Sequence, residues 1–208
     1  MKGKQIFLFG IDGSGKSTIL QMLKDSKLDN IIWTSCLTSA IFEEELYDAE
    51  RKLHFSRKDI FSKEFKHVLH IGSVIYKMYN EILPFLNDGH NIILDRYVIC
   101  IKMFSELFLN PSCQCLSNAL ECLPIPDLGI YFDADIDIAI QRIQERSKKN
   151  GIVPHYSESR ESLRRKKIYY ESMIDKERYA ILKLDANRDV DNVYYSILQI
   201  LQTICIIL

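Results

Sequence analysis

The chain has 208 residues, of which 47 % are apolar and 26 % charged, and it carries a net charge of −1 at pH 7. This is the composition of an ordinary globular domain. It excludes coating of nucleic acid or of an anionic membrane as the main task, because both demand a large basic excess.

Ile6–Phe9 is a short apolar run that stops at Gly10. Despite Lys2 and Lys4 before it, the run is too short for a secretory leader and reads as a buried first strand. No apolar run approaches the roughly 18 residues of a membrane span. Neither nucleic acid nor membrane is expected as a partner, and the expected location is the cytoplasm. Ser17–Lys24 follows as a helix, and Ile31–Trp33 as a short second strand. The stretch from Phe42 to Asn87 is helical in pattern, with Ile71, Val74, Ile75, Met78 and Ile82 near the 3.6-residue period. Pro84 is expected to kink or end it. Asn91–Leu94 is the third strand, and Cys100–Leu109 a helix that stops before Asn110-Pro111. Gly129–Phe132 is the fourth strand, Asp137–Lys148 a helix, and Asn150–Ser159 a polar loop. Arg160–Asp175 is a helix, Ala180–Ala186 the fifth strand, and Val190–Leu201 the closing helix. Alternation of strands with helices predicts an α/β, three-layer fold: a five-stranded parallel sheet with helices on both faces. Nothing resembles a repeat or a linker, so one domain spans residues 1–208.

Between the first strand and the first helix stands Gly10-Ile11-Asp12-Gly13-Ser14-Gly15-Lys16-Ser17, which fits G-x-x-x-x-G-K-[ST] at every fixed position. Glycines let backbone N–H groups converge on phosphate oxygens without a Cβ in the way. The helix behind them turns its positive end to the same anion. Lys16 is placed to reach the β- and γ-phosphates and Ser17 to bind Mg²⁺. A glycine turn that merely joins strand to helix is the alternative, and the flanking strand and amphipathic helix argue against it. Gly10, Asp12, Gly13, Ser14, Gly15, Lys16, Ser17 and Thr18 are thus the expected ATP contacts.

Asp95 follows four residues of the third strand, as an acid that holds Mg²⁺ or its water does. Alone, it reads equally as a cap for the next helix. Arg96 beside it falls at the carboxyl ends of the strands, where ligands of such sheets bind. Lys16, Asp95 and Arg96 are the expected catalytic groups, with Ser17 and Asp95 as the metal pair. Arg142 and Arg146 share one helix face, and Lys148, Lys149, Arg160, Arg164, Arg165, Lys166 and Lys167 follow. Interleaved Glu145, Glu158 and Glu161 make most of these a solvated surface. A basic loop beside a phosphate site also serves to close over it. The six cysteines, Cys36, Cys100, Cys113, Cys115, Cys122 and Cys205, are expected as thiols. Cys113-Gln114-Cys115 lacks the second ligand pair of a structural zinc site.

The order of these motifs resembles the thymidylate kinase family of P-loop nucleoside monophosphate kinases. The resemblance rests on "GIDGSGKST", "NDGHNIILDRYV", "PIPDLGIYFDAD" with "AIQRIQER", and "LKLDANRDVDNV". It implies ATP and Mg²⁺ as the donor complex and a lid at about 147–161. It further implies that Asp12 lies near the acceptor's sugar, that Arg96 holds the acceptor's phosphate, and that Arg142 lies against adenine with Arg146 nearby. Basic lid residues would assist transfer. Asp12, Arg96, Tyr97 and His70 make up the expected acceptor side.

The acceptor half departs from the family pattern. "WTSCLTSA" lacks the arginine and proline usual after strand two. His70 and Val74 stand where the family has a stacking phenylalanine and an arginine, and Cys100, Met103, Phe104 and Ser105 replace its polar run after "DRY". A His70 ring stacks on a base as well as it fills an amphipathic helix; Trp33 reads as core. Lys63, Lys66 and Lys102 are candidates to replace the missing arginines. The expected acceptor is dTMP, handled less well than in a typical member, with another nucleotide, nucleoside or small metabolite as the alternative. A GTP switch needs Asn-Lys-x-Asp, and Ser26-Lys27-Leu28-Asp29 lies in the wrong place for it. A non-catalytic nucleotide-binding protein would not need Lys16, Ser17, Asp95 and Arg96 together. Small-molecule nucleotides are the expected partners, and a homodimer is open.

Overall fold

In the computed structural model, residues 2–26, 28–35, 51–52, 61–151 and 153–205 are described. β1 (Gln5–Phe9) is buried at every position. Its alternate side chains feed two cores: Phe7 and Phe9 enter one hydrophobic cluster, Ile6 and Leu8 the other. A strand whose two faces are both apolar belongs in the middle of a parallel sheet covered on both sides. That is its place. β2 (Ile31–Ser35), β3 (Asn91–Asp95), β1, β4 (Leu128–Asp133) and β5 (Ile181–Asp185) lie in the order β2-β3-β1-β4-β5, and every pairing is parallel.

α1 (Lys16–Asp25) and α7 (Val190–Cys205) cover the face of Ile6 and Leu8 through Ile19, Leu23, Val193, Ile197 and Leu201. α2 (Lys63–Lys77), α4 (Val98–Phe108), α5 (Ile136–Asn150) and α6 (Arg160–Met173) cover the other through Val74, Ile101, Ile143 and Leu163 among others. The three layers, the five parallel strands and their sequence positions agree with the expectation from periodicity.

Pro84 does not break the long helical stretch. A π-helical turn over Met78–Ile82 precedes it and runs directly into α3 (Leu83–Asn87), so the change of helical pitch falls just before the residue that lacks an N–H. Of the helix expected from Phe42, residues 42–50 and 53–60 lie outside the described residues. α5 runs on to Asn150, ended by Gly151 at φ 65°, so the expected polar loop begins inside a helix. Within that expected loop, Tyr156–Glu158 forms a single 3₁₀ turn, with His155 and Glu158 capping it reciprocally. Among the described residues, no helix is long and apolar enough to cross a membrane.

Parallel strands carry their carboxyl ends to one edge. The loop after β1 and the Asp95-Arg96 pair at the end of β3 therefore stand side by side, with Leu8 paired to Asp95 and the Arg96 N–H donating to the Leu8 carbonyl at 2.9 Å.

Candidate active site

Two cavities open along this edge. The first, about 430 Å³, is walled by the loop after β1 and the start of α1. Gly13 holds φ at 79°, and a Cβ there would stand 2.4 Å from the Ala139 carbonyl oxygen, so only glycine lets the loop lie this close to α5. Gly15, at φ 90°, is the N-cap of α1 and leaves the helix end open to an anion. Lys16 is buried, and its Nζ donates to the Gly10 carbonyl (3.0 Å), the Ile11 carbonyl (2.8 Å) and Ser14 Oγ (2.9 Å). Burial, with the Arg96 charge nearby, brings its pKa down to about 8, against the opposing pull of Asp12 and Asp95.

Ser17, Thr18 and Asp95 line the same cavity. Asp95 Oδ1 is buried and has no hydrogen-bond partner among the described residues. An orphaned carboxylate oxygen beside a serine hydroxyl is a hard-oxygen donor pair, the kind Mg²⁺ takes while keeping most of its waters. The residues present therefore fit the ion. At the far end, Arg142 Nη1 donates to the Ala186 carbonyl at 3.0 Å and stands near Gly15. Arg188, Val190 and Val193 complete that wall. Arg146 lines the cavity too and pairs with Glu158 of the 3₁₀ turn. Arg142 and Arg146, expected from the sequence on the donor side, both line this cavity, as does Arg188, which the sequence did not single out.

The second cavity, about 900 Å³, lies between α2, α4, the 3₁₀ turn and α6. Its walls are largely aromatic: Phe104 and Phe108 from α4, whose rings lie 5.4 Å apart, and Tyr156 from the turn. His67 stacks on Phe104 at 5.9 Å and 24°, and its buried Nε2 has no partner among the described residues. Burial lowers the pKa of His67, and burial followed by the neighbouring His67 lowers that of His70, so both favour the neutral ring. His70 lines the chamber as expected. His67 was not singled out in the sequence, although its place one helical turn before His70 puts it on the same face. Lys63 and Lys66 line the chamber; Lys102 is not among its lining residues.

Tyr97 requires a correction. It is 1 % exposed, packs on Phe7 at 5.6 Å, and donates its hydroxyl to the Pro124 carbonyl at 2.7 Å. It lines neither cavity. The residue after Arg96 is turned inward as α4 begins, so it anchors that helix rather than touching a substrate. Trp33, expected as core, is partly buried: it packs on the core of Ile6 and Leu8 and also borders a small cleft shared with Ser17 and Asp95.

Among the described residues, the two cavities share only Asp12 and Arg96. Arg96 holds φ at 70°, a left-handed backbone that is strained for an arginine. Its Nη2 donates to Asp12 Oδ1 at 3.0 Å, and Lys166 Nζ donates to Asp12 Oδ2 at 2.6 Å. Burial alone would raise the Asp12 pKa, but Arg96 and Lys166 on its two oxygens hold it well below the usual carboxylate range. Lys166 read as part of a solvated basic surface; it is 6 % exposed. No charge count finds it. Only the inward face of α6 does, where Leu163 and Tyr170 lie three and four residues away. Cys100, Cys113, Cys115 and Cys122 are free thiols, Cys100 buried.

A family model described as "Thymidylate kinase" matches residues 9–197. A thymidylate kinase of Ligilactobacillus salivarius is 26 % identical over 97 % of this chain and 98 % of its own length. A probable thymidylate kinase of Staphylothermus marinus is 30 % identical over 91 % of this chain and 89 % of its own. The structure of thymidylate kinase from Candida albicans has the same fold, with a TM-score of 0.68 at 22 % identity, covering 97 % of this chain and 92 % of that one. With a nucleotide loop, a hard-cation pair and a second chamber set along one sheet edge, the chain belongs to the thymidylate kinase family and is a nucleoside monophosphate kinase that uses ATP with Mg²⁺ as its phosphate donor.

Proposed function

We propose that ATP occupies the cavity of the glycine loop, that dTMP occupies the aromatic chamber, and that the γ-phosphate crosses between them at Asp12 and Arg96. One observation carries this reading: two cavities of different chemistry meet at a single carboxylate–guanidinium pair. A 5′-monophosphate already offers an anionic oxygen as nucleophile, so the protein needs no general base. Its tasks are alignment and charge.

Lys16 follows the charge that builds between the β- and γ-phosphates, exchanging its carbonyl partners for phosphate oxygens. Backbone N–H groups at the start of α1 hold the same anion. Ser17 and Asp95 would hold Mg²⁺, which neutralises the phosphates when bound there. Arg96, poised by its strained backbone, holds the acceptor's phosphate in line. Asp12, kept ionised by its two cations, accepts from a sugar hydroxyl. Arg142 lies against the adenine. The segment at about 147–161 acts as the lid, tied to the donor side through Arg146 and Glu158. His70 and the rings of α4 enclose the base, while Lys63 and Lys66 stand in for arginines the family carries elsewhere.

The test is a kcat/KM comparison of dTMP, the other 5′-monophosphates and their nucleosides under one set of conditions. The reading expects dTMP to lead with a value of about 10⁴ M⁻¹s⁻¹ or more, inside the usual enzyme range. A nucleoside or another monophosphate in first place overturns the acceptor assignment. A cytoplasmic location and a homodimer belong to the same reading. Free thiols support the first. An exposed apolar stripe of Phe65, Val68, Tyr76 and Tyr79 along α2 and its π turn supports the second.

A further inference from the structure

We propose that Lys166 is a second phosphate-holding residue for the acceptor, acting beside Arg96. The proposal rests on the reading of the aromatic chamber as the acceptor's. The chamber's charged end is the seam with the donor cavity, and an acceptor phosphate in line with the γ-phosphate has to lie there. Arg96 lines both cavities, whereas Lys166 lines the acceptor chamber alone. The two cations stand on opposite oxygens of Asp12, at 3.0 and 2.6 Å, so one carboxylate holds them as a pair and leaves the cluster a net positive charge. A 5′-monophosphate brings about two negative charges to that cluster, which offsets the repulsion between the cations.

Donor geometry points the same way. An ammonium has three N–H groups. Lys166 commits one to Asp12 and one to the Ser157 carbonyl at 2.9 Å, which leaves one for a ligand. Its Nζ also lies 5.9 Å from the Phe108 ring centroid, a cation–π contact that holds it over the chamber wall. Because Ser157 belongs to the 3₁₀ turn inside the proposed lid, a phosphate bound to Lys166 is linked to the lid through one side chain. This places a cation where the strand-two stretch "WTSCLTSA" and Val74 supply none.

The experiment compares binding of dTMP and of thymidine, by calorimetry, to the wild-type protein, Lys166→Met and Lys166→Arg, with ATP as the control ligand. Met keeps most of the unbranched stem and removes the ammonium with its charge and its bonds to Asp12 and Ser157. The expected result is a dTMP Kd weakened by about 10- to 100-fold in Lys166→Met, the loss of one charge-assisted hydrogen bond, with thymidine, held through Asp12 as well, weakened several-fold less and ATP within about twofold of wild type. Lys166→Arg is expected to recover most of the dTMP affinity, since it keeps the charge. Equal weakening of dTMP and thymidine would mean that Lys166 only supports the chamber's shape, and unchanged dTMP binding would mean that it is not a ligand; either result overturns the proposal. If wild-type protein binds another monophosphate in preference to dTMP, the acceptor reading fails on its own, and the same ratio for that monophosphate and its nucleoside decides the role of Lys166.

Discussion

The cavity proposed for ATP and the chamber proposed for dTMP, here the donor and acceptor sides, share an edge of one sheet but are built on different principles. The donor side is backbone. A single stretch from Gly10 to Thr18 supplies amide groups, a helix end and a lysine, and Gly13 is fixed because a Cβ there would stand 2.4 Å from the Ala139 carbonyl oxygen. The acceptor side is side chains. α2, α4 and the pair formed by the 3₁₀ turn and α6 lie far apart in sequence and meet only after folding. A polyphosphate is recognised by geometry that few sequences satisfy. A base and sugar are recognised by surfaces that many residue sets can make. One side therefore tolerates little change, whereas the other can be lined by different side chains while the fold stays the same.

The sharpest way to break this contrast is Lys16→Ala. The donor side has one buried cation bonded to its own loop, and no other described side chain makes those three bonds. We expect kcat to fall by at least about 10²–10³, the scale of a lost electrostatic group in transfer. Circular dichroism should show the fold retained. Activity near wild type in the purified variant would remove Lys16 from the site.

A milder test belongs to the other side. Phe104→Ala takes away a chamber wall that His67 and Phe108 both pack against. We expect the acceptor's KM to rise by about tenfold, in keeping with 1–3 kcal/mol for a base–aromatic contact, while the KM for ATP stays constant. A parallel rise in both would mean that the two cavities are one mechanical unit, and the comparison drawn above would lose its basis.

The same contrast explains what was legible in the sequence. The strands were legible because a parallel sheet buried on both faces needs continuous apolar runs, and Ile6–Phe9 and Ile92–Leu94 show them. The donor loop was legible because its spacing is itself the site. Tyr97 was misplaced because adjacency to Arg96 says nothing about direction: a left-handed residue at φ 70° comes just before it, and the next side chain turns into the core. Lys166 was hidden because a run such as Arg164-Arg165-Lys166-Lys167 looks uniform in sequence, while a helix sends its members to different places. Arg164 is exposed, Lys167 meets Asp133 at 2.6 Å, and Lys166 meets Asp12.

The smallest effect is a matter of pH, and it touches the donor side alone. Lys16 stands at about 8 rather than 10.5, because burial and Arg96 disfavour its charge. A bound polyphosphate favours that charge, so the pKa in the complex lies above that of the free protein. Below pH 8 the lysine is protonated in both states, and affinity for ATP is insensitive to it. Above pH 8 the free protein loses the proton that the complex keeps, so binding takes up a proton and the Kd for ATP weakens, by at most about tenfold per pH unit. Folding follows the opposite sign. The unfolded chain holds the proton up to about 10.5, so below pH 8 the buried charge costs stability, and that cost is relieved as pH rises from 8 toward 10.5. Calorimetry of ATP binding at pH 7 and pH 9, in buffers of different ionisation enthalpy, should give an uptake near zero at the lower pH and approaching one proton at the higher. Lys16→Met should show neither the uptake nor the weakening. If the variant keeps the same pH dependence, the titrating group is elsewhere, and the neutralised lysine is not what sets the alkaline limit of the donor cavity.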